Sequence, residues 1–340
     1  MSADAVRRPT IRDVAARASV SVATASRALN ARADVSAGTR ERVRAAAADL
    51  AFTPRGSRGT QDQALTVGLL TSDSVGRFSI PVMLGAQDAL GSGQVAVLLA
   101  DARGDGIREQ YYVRTLLDRR VDGFIVVGET PEARAPITPE TPVPVVYAYA
   151  PSTDRADASF VPDDAEGAAT AVDHLLGLGR TRIAHITGPA TSLAAERRAR
   201  RVEEVLARAG TAVVGGVQYG SDWTQRWGRH ATAVLLTRRP EVDAVFCGSD
   251  QIAAGVLDVL RDHGRRVPDD VSVVGFDNWD VFARDSRPPL TTVDMDLERL
   301  GRAAATHLFG AMGGSVAPGI RRLPCRLVLG ESTAPVRTAP

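Results

Sequence analysis

Six places in the chain put hydrogen-bonding side chains directly behind short apolar runs: Thr71 to Asp73, Asp101, Tyr149, Thr187-Gly188, Ser249-Asp250 and Asp277-Asn278. Carboxylates there can accept from the paired hydroxyls of a polyol, arginine can donate to ring or hydroxyl oxygens, and tryptophan can cover an apolar sugar face. That chemistry is recognition, not bond-breaking. No G-x-G-x-x-G follows an apolar run, and neither a P-loop nor G-x-S-x-G occurs, so the fingerprints of dinucleotide binding, phosphate transfer and nucleophilic hydrolysis are missing. Cys247 and Cys325 are the only cysteines and make no C-x-x-C pair, and the five histidines show no H-x-x-x-H spacing. Neither a disulfide framework, a metal site nor a cofactor is expected.

The runs in front of these residues are LTVGLLT, QVAVLLA, GFIVV, VPVVYAY, RIAHIT, DAVFCG and VSVVGFD, rich in β-branched residues and separated by amphipathic stretches. Strand and helix alternating at this spacing predict an α/β fold with parallel, doubly wound sheets. Two sets can be counted, one from residue 65 to about 160 and another from 163 to about 290, hence two lobes. In open parallel sheets ligands sit beyond the carboxyl ends of the strands, which is where the polar residues above fall. A length of 340 residues accommodates two lobes and a further domain. No apolar run approaches the roughly 18 to 20 residues of a membrane span, and the start lacks a secretory pattern, so a cytoplasmic protein with no membrane partner is expected.

The net charge of +1 conceals a segregation: residues 1 to 60 carry +6 and the remainder −5. A basic amino-terminal module on a mildly acidic body suits binding to a polyanion such as DNA. The chain has no lysine, so arginine abundance alone says little; the uneven distribution is the informative part. Thr10-Ile11-Arg12-Asp13 has the form of a capping box, and Ile11, Val14, Ala15 and Ala18 follow at helical spacing to about Ala18. Ser21 can cap a second helix, Val22 to Leu29, closed by Asn30. Ser36 can cap a third, to about Leu50, with Val43, Ala46, Ala47 and Leu50 inward. Three short helices with a tight first connection predict a helix-turn-helix headpiece over residues 1–54.

TIRDVAARASVSVATASRALN followed by VSAGTRERVRAAAADLAFTP resembles the headpiece of the lac repressor and gal repressor family of bacterial transcription regulators. The resemblance continues to about Leu329 and implies a two-lobed sensor like periplasmic sugar-binding proteins, whose chain crosses between lobes near Val161-Pro162, Leu290-Thr291 and Leu323-Pro324. Lobe 1 would then hold about 65–161 and 291–323, and lobe 2 about 162–290 and 324–340. The second headpiece helix would enter the major groove, with Val22, Ala23 and Arg27 at base-reading positions. Arginine's planar fork matches O6 and N7 of guanine, and valine and alanine offer apolar contact. Thr10, Thr24, Ser26 and Asn30 would serve the sugar-phosphate backbone.

The same resemblance implies ligand contacts from Asp277, Trp223 and Arg198, and from Phe78 and Ser79 after the first strand. The chain departs from the family at Arg77 where proline is usual, Tyr149 for aspartate, Ser249 for asparagine, and Arg201 for glycine, with Asp250 beside Ser249 at its strand end. Alternatives stand beside these readings: Trp223 merely packed, Arg198 paired with a surface acid beside Arg197, and Asp163 or Asp164 capping the next helix. The linker, residues 55–64, has two glycines and no leucine before Leu65. Each glycine costs a helix about 1 kcal/mol, so the family's hinge helix is not expected, and Arg55 and Arg58 are placed to touch phosphates or a narrow minor groove. The expected function is a dimeric, operator-binding regulator, implied to be a repressor, whose palindromic double-stranded site is controlled by a sugar or polyol effector. A solute-binding transport component and a sugar- or nucleoside-acting enzyme are the rival readings.

Overall fold

The computed structural model describes residues 10–29, 35–50, 65–91, 94–137, 141–312, 314 and 317–336. The chain divides into two units, residues 1–64 and 65–340.

In the first unit α1 (Ile11–Arg17), α2 (Val22–Leu29) and α3 (Ala37–Asp49) follow one another closely. Asp13 Oδ2 accepts from both the amide and the hydroxyl of Thr10, each at 2.7 Å, which fixes the start of α1. Ser21 Oγ accepts from the Thr24 amide at 3.0 Å and Ser36 caps α3 through the Thr39 amide. Between α1 and α2 the chain reverses through Ser19, in the left-handed region at φ 54°. The core is small and alanine-rich: Val14, Ala15, Ala18, Ala25, Ala28, Val43, Ala46 and Ala47 are buried, with Ile11, Leu29 and Leu50 packed against them. These short side chains let the three helices approach closely, with the longer apolar residues at the margin of the core.

The second unit holds two six-stranded sheets. The first runs in the order β2 (Val95–Asp101), β1 (Leu65–Thr71), β3 (Gly123–Val127), β4 (Val145–Ala148), β5 (Ala158–Pro162), β11 (Gly319–Leu323), all parallel. The second runs β7 (Gln218–Gly220), β6 (Ile183–Pro189), β8 (Ala244–Cys247), β9 (Ser272–Phe276), β10 (Thr291–Asp294), β12 (Arg326–Val328). Its strands are parallel except β12, which runs antiparallel to β10. The layers on the first sheet come from α4 (Ser79–Gln87), α5 (Gly106–Asp118) and α11 (Leu297–Met312); those on the second come from α6 (Asp164–Gly177), α7 (Leu193–Arg208), α8 (Gln225–Arg238) and α9 (Asp250–Asp262), with short α10 (Asp280–Ala283) after β9. Strand order reverses at β1/β3 and again at β6/β8, so each lobe has its crevice there.

One expected boundary moves. The resemblance implies a second crossing at Leu290-Thr291, but β10 pairs in parallel with β9, so Thr291–Asp294 belong to the second lobe and the chain leaves it after Asp294. The reason is the β-branched, fully buried Thr291-Thr292-Val293, which extends the sheet beside β9.

Helices α4 and α11 lie so close that glycine is required at two points. A β-carbon on Gly85 would sit 1.8 Å from the Glu298 carbonyl oxygen, and one on Gly301 would sit 2.1 Å from that of Val82. Neither backbone oxygen can yield without separating the helices. Gly85→Ala is therefore expected to cost about 3 kcal/mol, the upper end of overpacking, read as a lower denaturant midpoint. Gly177→Ala, with open space around it, is expected to hold or raise the midpoint.

Candidate functional site

On α2 the alternation of burial leaves one face outward. Ala25 and Ala28 are buried against the other helices, while Val22, Ala23 and Arg27 are exposed and Ser26 is half-buried. Arg27 Nε donates to the Ala23 carbonyl at 3.3 Å, which lays the guanidinium stem along the exposed face. Thr24 and Thr10 have their hydroxyls engaged at the helix starts, with Ser21 Oγ at 2.7 Å and Asp13 Oδ2 at 2.7 Å. Asn30, Arg55, Arg58 and the linker lie outside the described residues.

In the second unit, strand ends from both lobes enclose a cleft of about 520 Å³. Of the nine residues expected there, Arg77, Phe78, Tyr149, Arg198, Trp223, Ser249 and Asp277 line it. Phe78 and Tyr149 stack with ring centroids 4.1 Å apart and form an aromatic wall on the first lobe. Burial pushes the Tyr149 phenol far above its ordinary value, so it stays protonated. Trp223 packs flat on Gly188, where a β-carbon would meet its ring at 2.3 Å. Ser249 caps α9 by accepting from the Ile252 amide at 3.2 Å.

Ser79 and Asp250 stand behind the wall instead of facing the cleft. Asp73 Oδ2 accepts from the Phe78 amide at 2.6 Å, the Ser79 amide at 2.9 Å and the Ser79 hydroxyl at 3.2 Å, so Ser79 helps hold the turn that presents Arg77 and Phe78. Asp250 accepts from Thr292 Oγ1 at 2.6 Å and the Trp279 amide at 2.8 Å, pinning the turn after β9. Burial, then the nearby Asp277 charge, pushes the Asp250 carboxyl well above the usual range. Asp277, at φ 116°, is also raised by burial, with the Arg77 and Arg198 guanidiniums opposing.

Arg198 is committed to the protein. Its Nε and Nη2 donate to Asp164 Oδ1 at 2.9 and 2.6 Å, its Nη1 to the Gly248 carbonyl at 2.6 Å, and it lies 3.5 Å over the Phe276 ring. Burial opposes its charge, but Asp164 and Asp277 hold its pKa above the ordinary value. One N–H on each terminal nitrogen remains for a ligand.

Several lining residues escaped the sequence reading: Trp279, Gln251, Glu129, Glu132 and Ser192. Trp279 follows Asp277 by two, and Glu129 follows β3 by two, so the strand-end rule extended by a residue would have found both. Glu132 accepts from the Leu193 amide at 2.9 Å; burial raises its carboxyl, and hydrogen bonds from Thr130, Leu193 and Ser192 outweigh that and hold it low.

Residues 10–55 match the family described as bacterial regulatory proteins, lacI family, and residues 172–333 a periplasmic binding protein-like domain. The chain is 34% identical over 333 residues to the HTH-type transcriptional regulator CelR of Thermobifida fusca, covering 95% of this chain and 96% of the relative. The chain belongs to the lacI family. To the HTH-type transcriptional repressor CytR of Escherichia coli K12 this lacI-family chain is 30% identical, over 95% of its length and 96% of that protein's. A solved CelR-cellobiose complex superposes with a TM-score of 0.66 at 33% identity over 96% of this chain and all of that one. The lac repressor dimer bound to operator and the anti-inducer ONPF gives 0.69 at 28% identity, with coverage of 96% and 100%. This lacI-family protein is thus a DNA-binding transcriptional regulator and not an enzyme. No helix among the described residues is long and apolar enough to cross a membrane.

Beneath the cleft of this regulator, His185 is fully buried on β6 and stacks on Phe246, with Nδ1 donating to the Phe246 carbonyl at 3.0 Å. Its Nε2 meets no donor among the described residues. Burial, with Arg198 adding to it, lowers its pKa to about 4 from 6.5, against the pull of the Phe246 bond. Between these values the unfolded chain binds a proton that the native ring refuses, so stability is full above about pH 6.5 and falls as pH drops toward 4. The loss is on the order of 3 kcal/mol. Urea unfolding at pH 7 and pH 4 is expected to show it, and His185→Leu to reduce the difference by that amount.

Proposed function

We propose that this regulator binds an uncharged sugar in the interlobe cleft and that occupancy changes the affinity of a homodimer for a palindromic operator in the cytoplasm. The observation that carries the reading is the cleft itself: about 520 Å³ at the strand ends of two lobes, walled by Phe78, Tyr149, Trp223 and Trp279, with Glu129, Glu132 and Asp277 as acceptors. Aromatic faces cover apolar sugar surfaces and carboxylates accept from hydroxyls. The CelR-cellobiose complex supports a sugar and makes cellobiose the first to try. Regulation follows if the sugar prefers one lobe arrangement, since only differential affinity shifts an equilibrium.

In the headpiece, Val22, Ala23 and Arg27 read bases, and Thr10, Thr24, Ser26, Asn30, Arg55 and Arg58 meet the backbone or a narrow minor groove. Two headpieces read half-sites about one helical turn apart. The test is to select the preferred duplex from random DNA, follow binding by fluorescence anisotropy at fixed salt, and titrate cellobiose and other neutral mono- and disaccharides. A sugar-dependent change in operator affinity is expected. A panel of sugars that leaves operator affinity and tryptophan emission unchanged would remove the sugar reading.

A further inference from the structure

We propose that Arg77 is a tethered occupant of the cleft: without effector its guanidinium takes the place on Asp277 that ligand donors would take, clamps the two lobes together, and must be expelled by any ligand that binds there. The inference rests on the reading of the cleft as the effector site.

Arg77 sits in the turn after β1, on the first lobe, and Asp277 ends β9, on the second; Arg77 Nη2 donates to Asp277 Oδ2 across the cleft. The pair is largely withdrawn from water, with side chains 16% and 5% exposed. The guanidinium lies 5.0 Å from the centre of the Phe78 ring on its own lobe and 4.8 Å from that of Trp279 on the other. A cation held between an aromatic ring of each lobe and a carboxylate of one is a clamp, because opening the lobes breaks the ion pair and one ring contact together. Both supports are fixed from behind: Asp73 holds the turn carrying Arg77 and Phe78, and Asp250 holds the amide of Trp279.

The arm also divides the space. A second chamber of about 360 Å³, reaching toward Asp294 and Asp296 where the chain passes between lobes, shares Arg77, Asp277 and Trp279 with the larger one. Arg77 is therefore a partition as well as a clamp, and its position sets the length of ligand the cleft admits. A ligand that takes Asp277 inherits the two aromatic faces and must supply its own hydrogen-bond donors to the carboxylate.

The experiment needs no ligand. Spin labels at exposed Asp118 on the first lobe and Arg238 on the second, in full-length protein diluted into unlabelled protein, report the interlobe distance by double electron–electron resonance. Arg77→Met keeps the arm's length without its charge, and Asp277→Asn keeps shape at a positive-φ position. Each is expected to move the distribution to longer, broader distances, and the double variant to move it no further, because both remove one interaction. An unchanged distribution in Arg77→Met, or additive shifts in the double variant, would overturn the clamp. Failure of the sugar reading shows elsewhere, in the operator titration, and leaves this distance measurement interpretable.

Discussion

Arg198→Ala is expected to lower stability by about 3 to 5 kcal/mol, because it strips a buried carboxylate of its partner. Arg198 and Asp164 are each 3% exposed and lie 2.6 Å apart, so neither water nor a second cation can replace the guanidinium cheaply. The Gly248 carbonyl loses a donor at the same time. The sequence offered Arg198 as a ligand contact or as the partner of a surface acid; the acid it meets, Asp164, is buried. Urea unfolding at neutral pH would show the lower midpoint, and Arg198→Met combined with Asp164→Asn should recover most of it by removing both charges. A midpoint within error of wild type for Arg198→Ala would mean that the pair holds nothing together.

Arg27→Ala is expected to erase discrimination between the selected operator and scrambled DNA while the headpiece stays folded. Arg27 stands on the exposed face of α2, away from the buried Ala25 and Ala28, so truncation leaves the core untouched. A bidentate contact to guanine is worth about 1 to 3 kcal/mol, and a symmetric dimer loses it at both half-sites. Arg27→Lys keeps the charge without the fork. Operator and scrambled duplexes titrated over a range of salt would separate the roles: full recovery by lysine, with the specificity ratio unmoved by alanine, would assign Arg27 to phosphate alone.

How far the sequence could be read depended on the range of the interaction involved. The headpiece helices were legible because their signals are local: Thr10, Ser21 and Ser36 cap within three residues, and the alanines recur at helical spacing. Most central strands were legible as buried apolar runs. Strand β10 was not, because Thr291-Thr292-Val293 reads as a strand without saying which sheet it joins; that is decided by its register against Val274 to Phe276. Strands β7 and β12, three residues each, carry too little pattern to stand out. At the site, the strand-end rule found the cleft but could not tell a residue facing it from one bracing it. Asp250 adjoins Ser249 at a strand end, and Ser79 adjoins Phe78 in the pair the family resemblance implied, yet the partners of Asp250 and Ser79, Thr292 and Asp73, are assigned by packing alone. The Arg198 partner lies on another helix, 34 positions away, and no spacing in the sequence points to it.

The placement of β11 and β12 has a consequence for how the protein is made. Residues 319–328 supply one edge strand of each sheet, β11 beside β5 and β12 beside β10. While the chain is still emerging from the ribosome, β5 and β10 therefore lack a partner on one side until residues 319–328 have been made. The headpiece, whose apolar core is made by residues between Ile11 and Leu50, is under no such delay. The DNA-reading part can thus be finished before the part that governs it, and loss of residues 319–328 would injure both lobes at once while sparing the reader.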